Sequence, residues 1–457
     1  MSFLPPRRVL AGLALFLSAL AAGCTGPGAP AERTARQQVD RIGRELKPAN
    51  ARAALPALRP DSPPADFVRF AVLKHPAVAA AYHDWHASVE GIAPARSLPD
   101  PNFTFQADIT DTLTSFMPGL MFDFMAPGKR AAMGREATAA SDVAYRAYVG
   151  TVLRTAAEVR RTWIEFAYLD EVHQLYATTL ETAEQGLALA NSDYTTSRGM
   201  VSFDKQARWQ NEAARHRAHH AALADRQAAA RSRFRSALGL GPDDPDPPWP
   251  HPALTATPLP PEDELWRRTA STNPGLAQMR AMVDMAVAGV EVARKAGTPD
   301  YSLGLMADLK ANPLLLRPTA TLTLPVWRDK IAATIASAEA RRDAAAARVT
   351  VEQLSLAAEF AQLLYMVREA DRTLAYMDNF AIPNFERTLA SIEAGIQSGM
   401  GAIDMIPETR MMILDMRHDR AAMLRDRELA ATDLMLLAAA VGPVDSPLLV
   451  DPTAVHP

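Results

Sequence analysis

The chain has 457 residues, 48% of them hydrophobic and 22% charged, with a net charge of −4, a length sufficient for two or three ordinary domains. The charge balance carries no polybasic excess, which argues against nucleic acid as a partner. Aromatic residues make up only 7% while alanine is abundant, a composition that suits long, closely packed helices better than a sandwich core.

At the N-terminus, Arg7 and Arg8 precede an apolar run from Val9 to Leu20 that ends in Ala21-Ala22-Gly23-Cys24. A basic start, a short apolar stretch and small residues at a cut site describe a secretory signal over residues 1–23. The run is about 12 residues, against the ~20 that a bilayer-spanning helix needs. Cys24 is the only cysteine, so no internal disulfide can form. Small residues directly before a lone cysteine resemble the lipobox of bacterial lipoproteins, in which that thiol receives the lipid. Ala21 stands where leucine is commoner, and Thr25 follows in place of an aspartate, which in such proteins favours the outer membrane. The plainer alternative is a signal peptide with an incidental cysteine. Residues 24–62, beginning with the flexible Gly26 to Pro30, read as a tether. No later segment is a transmembrane-helix candidate, so any membrane crossing must be made by strands of a closed barrel.

Residues 63–242 then set out a series of elements. A helix is expected from Pro76 to Ser97, with proline in its first turn, where a missing N–H is no loss. In the next run Phe103, Phe105, Ala107 and Ile109 alternate with Thr104, Gln106, Asp108 and Thr110, and Leu120, Phe122 and Phe124 then oppose Asp123. Such period-2 alternation places one set on each face of a sheet. From Arg130 to Thr196 there is no proline, which allows a helix of roughly 100 Å. Tyr145, Val149, Val152, Ala156, Val159, Trp163 and Phe166 follow the heptad spacing of helices that pack over a distance. A turn at Gly199-Met200 leads into a returning helix that starts near Asp204 and stops at Leu240-Gly241-Pro242. Residues 243–260 are a proline-dense connector that can be neither regular helix nor central strand.

Residues 261–443 repeat the series, before a tail at 444–457. His75-Pro76 is echoed by Asn273-Pro274, Pro99-Asp100 by Pro299-Asp300, Pro127 by Pro325, Gly199-Met200 by Gly399-Met400, and Leu240-Gly241-Pro242 by Val441-Gly442-Pro443. The offset stays near 200 throughout, the mark of an internal duplication. The second copy has its own helix from Pro274 to Ala296. It also has alternating runs at Tyr301, Leu303, Leu305, Ala307 and Leu309 and at Ala320, Leu322 and Leu324. Its long helix, Arg328 to Ser398, is interrupted by Pro383, where a bend is expected.

An apolar face opposite a face of threonine and aspartate fits a barrel wall between lipid and water; a soluble, half-buried hairpin writes the same pattern. Two hairpins in corresponding places behind an export signal favour the membrane. Four strands cannot close a barrel, since known ones start at about eight, so the chain must oligomerise to hide its strand edges.

The chain resembles the TolC family of outer-membrane channel proteins over nearly everything after residue 62. The motifs that carry this are Lys74-His75-Pro76, Leu98-Pro99-Asp100-Pro101, Ala126-Pro127-Gly128-Lys129-Arg130, Leu324-Pro325-Val326-Trp327 and Ile382-Pro383 followed by Ile396-Gln397-Ser398-Gly399. The resemblance implies an α+β membrane protein: a homotrimer with a twelve-stranded outer-membrane β-barrel, four strands per chain, continued by a long periplasmic α-helical barrel. It further implies a passive exit duct that docks to a periplasmic adaptor and an inner-membrane efflux pump. The turns Gly199-Met200 and Gly399-Met400 would be the tips that meet the adaptor. The Pro-Gly-Lys-Arg segment looks most like the branch that serves heavy-metal efflux. Two alternatives stay open: the outer component of a type I protein-secretion system, and a helical structural lipoprotein without a pore.

No catalytic constellation is present, neither P-loop nor dinucleotide fingerprint nor H-E-x-x-H, and no cofactor is implied. His216, His219 and His220 have a spacing that could hold a metal, but Arg215 and Arg217 would oppose a cation, and an exposed helix face is the expectation. His83 and His86 are no more convincing. Met400, Met405, Met411, Met412 and Met416 could offer thioethers to Cu(I), though core filling is the expected use. The polar candidates are Asp404 and Glu408, four apart and so on one helix face. Glu408 falls where members of the resembled family carry an acidic residue at the tunnel entrance. Threefold copies would form acidic rings that attract cations; the alternative is two charges that merely favour a helix N-terminus.

Overall fold

The computed structural model describes residues 30–46, 55–109, 113–196, 203–399 and 403–439. The signal segment, Cys24, the Gly199-Met200 turn, Met400, Val441-Gly442-Pro443 and the tail from 444 lie outside these residues. The described elements are α1 (Pro30–Leu46), α2 (Pro64–Lys74), α3 (Pro76–Glu90), α4 (Ile92–Arg96), β1 (Asn102–Ile109), β2 (Leu113–Phe124), α5 (Lys129–Thr196) and α6 (Phe203–Ala237). The second copy follows with α7 (Glu262–Thr272), α8 (Pro274–Lys295), β3 (Tyr301–Asp308), β4 (Leu315–Leu322), α9 (Arg328–Tyr376), a π turn (Met377–Ala381), α10 (Ile382–Gln397) and α11 (Met405–Leu437). The order of helices and strands recurs in the second copy, except that α4 has no counterpart there and the single helix α5 is matched by α9, the π turn and α10. Part of the expected tether is a helix, α1, in which Glu32 is buried and accepts hydrogen bonds from Arg96 at 2.7 and 3.3 Å and from Arg36 at 3.3 Å.

The chain divides into two units, and the sheet belongs to the one built from the described residues up to Arg41, from His86–Ser141 and from Ala288–Ile335. Its four strands are antiparallel in the order β1-β2-β3-β4, so β1 and β4 each keep an unpaired edge among the described residues. The register places Phe103 opposite Leu120, Leu120 opposite Leu305, and Leu305 opposite Pro318, which gathers the apolar residues of all four strands on one face. That face is bare: Phe103, Phe105 and Ile109 are 69%, 68% and 73% exposed. The other face is knit by polar groups. Asp123 accepts from Asn102 at 2.8 Å and from Ser302 at 2.5 Å, while Asp308 accepts from Ser115 at 3.1 Å and lies 3.9 Å from Arg317. Met117, Met121 and Met306 share this second face by register, so it is less uniformly polar than the alternation implied. Pro118 has no N–H to give, and the registered β2–β3 pairing begins one residue later, at Gly119.

The other unit, from Ile42–Trp85, Asp142–Val287 and the described residues after Ala336, is helical. Of the expected heptad seam, Tyr145, Val152, Ala156, Val159 and Phe166 are buried. Tyr148, fully buried and outside the seam, stacks on Trp85 with ring centroids 5.7 Å apart. The two X-Pro landmarks do the same physical work. The Nδ1 of His75 accepts from the backbone N–H of Ala77 at 3.1 Å, and Oδ1 of Asn273 accepts from that of Leu276 at 2.9 Å, so each caps the helix that its proline begins. The proline-dense connector has no regular structure but is ordered against the helices: Trp249 stacks on Phe166 at 5.9 Å and lies under Arg231.

Candidate gate residues at the second-copy turn

Gly399 closes α10 with φ +76°, the left-handed conformation that ends many helices, and an added Cβ there would meet nothing within 4 Å. Backbone geometry, not crowding, is what asks for glycine. Asp404 then precedes α11, and Glu408 lies in its first turn. Asp404 makes no side-chain capping bond to the helix; its carboxylate instead accepts from Lys205 Nζ at 2.5 Å, and Lys205 is also 3.4 Å from Asp193. Glu408 accepts from Arg208 at 2.6 Å. Lys205 and Arg208 are three apart in the first turns of α6, so a basic face from the first copy meets the acidic face of the second.

The electrostatics follow from these pairs. The Lys205 bond holds the Asp404 carboxyl below the usual carboxylate range against the opposing effect of its partial burial. For Lys205, partial burial pushes down, but Asp404 and Asp193 outweigh it and the ammonium titrates higher than usual. From the sequence, Asp404 and Glu408 are candidates for acidic rings that attract cations, or for charges that merely favour a helix N-terminus. In the structure both carboxylates are compensated within the chain, and the Arg208 ion pair is with Glu408. For Glu408 alone the duplication holds a trace, because position 208 of the first copy corresponds to 408 of the second and carries the opposite charge, whereas Lys205 and Asp404 are not corresponding positions.

Next to these pairs the helices are locked by packing. Trp209 lies against Gly186, where a Cβ would come within 2.6 Å of the indole, in a cluster with Ala183, Ala190, Ala213 and Met411. Met411 is thus core filler, while Met405 and Met412 are exposed. The histidine segment differs from expectation. His216 is only 4% exposed and faces Tyr176, because α5, α6 and α11 converge there. His418, not singled out from the sequence, joins them, with its ring 4.3 Å from Tyr176 and Nε2 3.1 Å from Thr179 Oγ1. Among the described residues no group of histidines and carboxylates is arranged to hold a metal ion. The Pro-Gly-Lys-Arg segment has a structural use: Asp300 accepts from the Ala126 N–H at 2.8 Å and from Lys129 Nζ at 2.6 Å, which ties the end of β2 to the start of β3.

No protein-family model matches the chain, and no curated protein matches it. Solved structures do. The outer membrane protein VceC from Vibrio cholerae superposes with a TM-score of 0.65 at 16% identity, over 82% of this chain and 95% of that one. A membrane protein from Pseudomonas aeruginosa gives 0.70 at 18% identity, over 86% and 94%. The open state of the MtrE outer membrane channel of Neisseria gonorrhoeae gives 0.69 at 16% identity, over 83% and 90%. The chain has the fold of outer-membrane channel proteins, the one that the TolC resemblance implied.

Proposed function

We propose that the chain is one of three subunits of a passive exit duct in the outer membrane, the last component of an efflux system whose energy comes from an inner-membrane pump reached through a periplasmic adaptor. The observation that carries this is the four-stranded sheet. One face is apolar and exposed on all four strands, the other is tied by polar groups, and both outer edges are unpaired among the described residues. Further copies of the chain would pair those edges, and three copies give the twelve strands of the resembled family. In this reading the Gly199-Met200 and Gly399-Met400 turns meet the adaptor, and the Lys205–Asp404 and Arg208–Glu408 pairs hold the entrance closed. A lipid on Cys24 adds a second anchor. Metal cations are the cargo suggested by the Ala126–Arg130 resemblance. Planar-bilayer recording of the purified full-length protein tests the duct: stepwise conductance is expected, and a protein that inserts without conducting would leave a structural lipoprotein. Metal sensitivity of a deletion strain tests the cargo separately, and loss of protein secretion without metal sensitivity would favour a type I secretion role.

A further inference from the structure

Arg160, on α5, is half-buried, and its Nε is buried without a hydrogen-bond partner. No carboxylate of the described residues pairs with it, and burial alone pushes its pKa down. Its neighbour Arg161 shows the contrast, bound to Asp433 at 2.6 Å and to Glu158 at 3.1 Å. Arg160 lines a cleft of about 350 Å³ whose other walls include Pro63, Pro64, Trp163, Leu254 and Met435. Small-molecule sites begin at roughly 300 Å³ and are mostly apolar with a few placed polar groups. Glu428 also lines the cleft, but the donors that its oxygens accept from are other groups. Oε1 accepts from the Thr257 N–H at 3.0 Å and from Arg427 at 2.5 Å, and Oε2 accepts from the Thr257 hydroxyl at 2.6 Å. The cleft therefore combines an apolar wall with one guanidinium that no carboxylate of the described residues binds.

A guanidinium withdrawn from water without a bound partner is costly, and its planar fork matches a carboxylate. We propose that this cleft is a binding site for a small amphipathic anion, an organic carboxylate with a compact aryl or alkyl group. Arg160 takes the carboxylate, and Trp163, Pro64 and Leu254 cover the apolar part. The apolar wall selects such an acid over inorganic phosphate, and the unpartnered guanidinium selects it over a neutral analogue.

The test uses the full-length protein in lipid nanodiscs, titrated with 4-phenylbutyrate, its neutral amide and inorganic phosphate. Tryptophan fluorescence is read, with Trp163→Phe identifying the signal from the cleft, and calorimetry measures binding independently of fluorescence. The acid is expected to bind saturably, with the amide and phosphate at least tenfold weaker. Arg160→Gln should weaken the acid tenfold or more, and Arg160→Lys should retain part of the affinity. Ala253, exposed on the rim, supplies a second variant: Ala253→Leu narrows the cleft with Arg160 intact and should also weaken the acid, which decides the matter if Arg160→Gln fails to fold. Absence of saturable binding, equal binding of acid and amide, or acid binding indifferent to Ala253→Leu would overturn the proposal.

Discussion

Lys205 and Arg208 against Asp404 and Glu408 set the charge at the proposed entrance. Each is a partly exposed pair worth about 0–1 kcal/mol by itself, and threefold repetition would multiply a small latch. Lys205→Ala with Arg208→Ala should leave the acids uncompensated, raising conductance and cation preference. Asp404→Ala with Glu408→Ala should also loosen the latch but reduce cation preference and divalent block. Single-channel recordings that show neither change in either double variant would make these ordinary surface pairs. Two other residues give solution tests. His418 is pushed down to about 4 by burial first and by His216 next, while an unfolded histidine titrates near ~6.5. The folded state therefore takes up its proton later than the unfolded one. The stability from a neutral His418 is complete above about pH 6.5 and is lost as pH falls towards 4. His418→Asn should flatten that loss in thermal unfolding between these values. Ala439, just past α11, has φ 52°, where Gly239, just past α6, has φ 71°. The left-handed conformation costs an L-residue roughly 1–2 kcal/mol, so Ala439→Gly should raise stability by about 1 kcal/mol in denaturant titration.

Among the elements, the strands were the most legible, because alternation survives whatever the sheet packs against. The register confirms that Phe105 lies on the apolar face and Gln106 on the face that carries Asp123 and Asp308. Phe105→Arg should therefore impair assembly, by up to about 2–4 kcal/mol if it lies near the bilayer midplane. Gln106→Arg should assemble normally and alter conductance alone. Heat-resistant oligomer on gels reads both, and equal tolerance would remove the barrel assignment. The long helices were legible from absent prolines and the heptad spacing. At Pro383 the sequence calls for a bend. The structure shows its form, a π turn over Met377–Ala381 in which the Ile382 N–H reaches back to Met377, just before a proline that cannot donate to the fourth residue back. Helices α2 and α7 were missed, since each has only 11 residues and too little length to establish a period.

For the whole molecule, the open edges of β1 and β4 carry the argument on assembly. Strand edges are templates for pairing, and a sheet with a bare apolar face has no stable place in water as a monomer. Native mass in detergent should correspond to three chains. A monomer that retains full strand content would contradict the barrel, and a dimer would mean eight strands.

The duplication and the alternating faces were present in the sequence, because each is a pattern of residue types along the chain. The fold followed from them and from the resemblance, and the solved outer-membrane channels share it. Charge compensation at Asp404 and Glu408 could not be read locally, because their partners stand about 200 residues away. The same holds for His216, whose ring meets Tyr176 of another helix, and for Arg160, whose lack of a bound carboxylate appears only in the structure. Periodicity tells which face of a helix turns inward; which charge from a distant helix waits there is decided by packing, and only the tertiary structure supplies it.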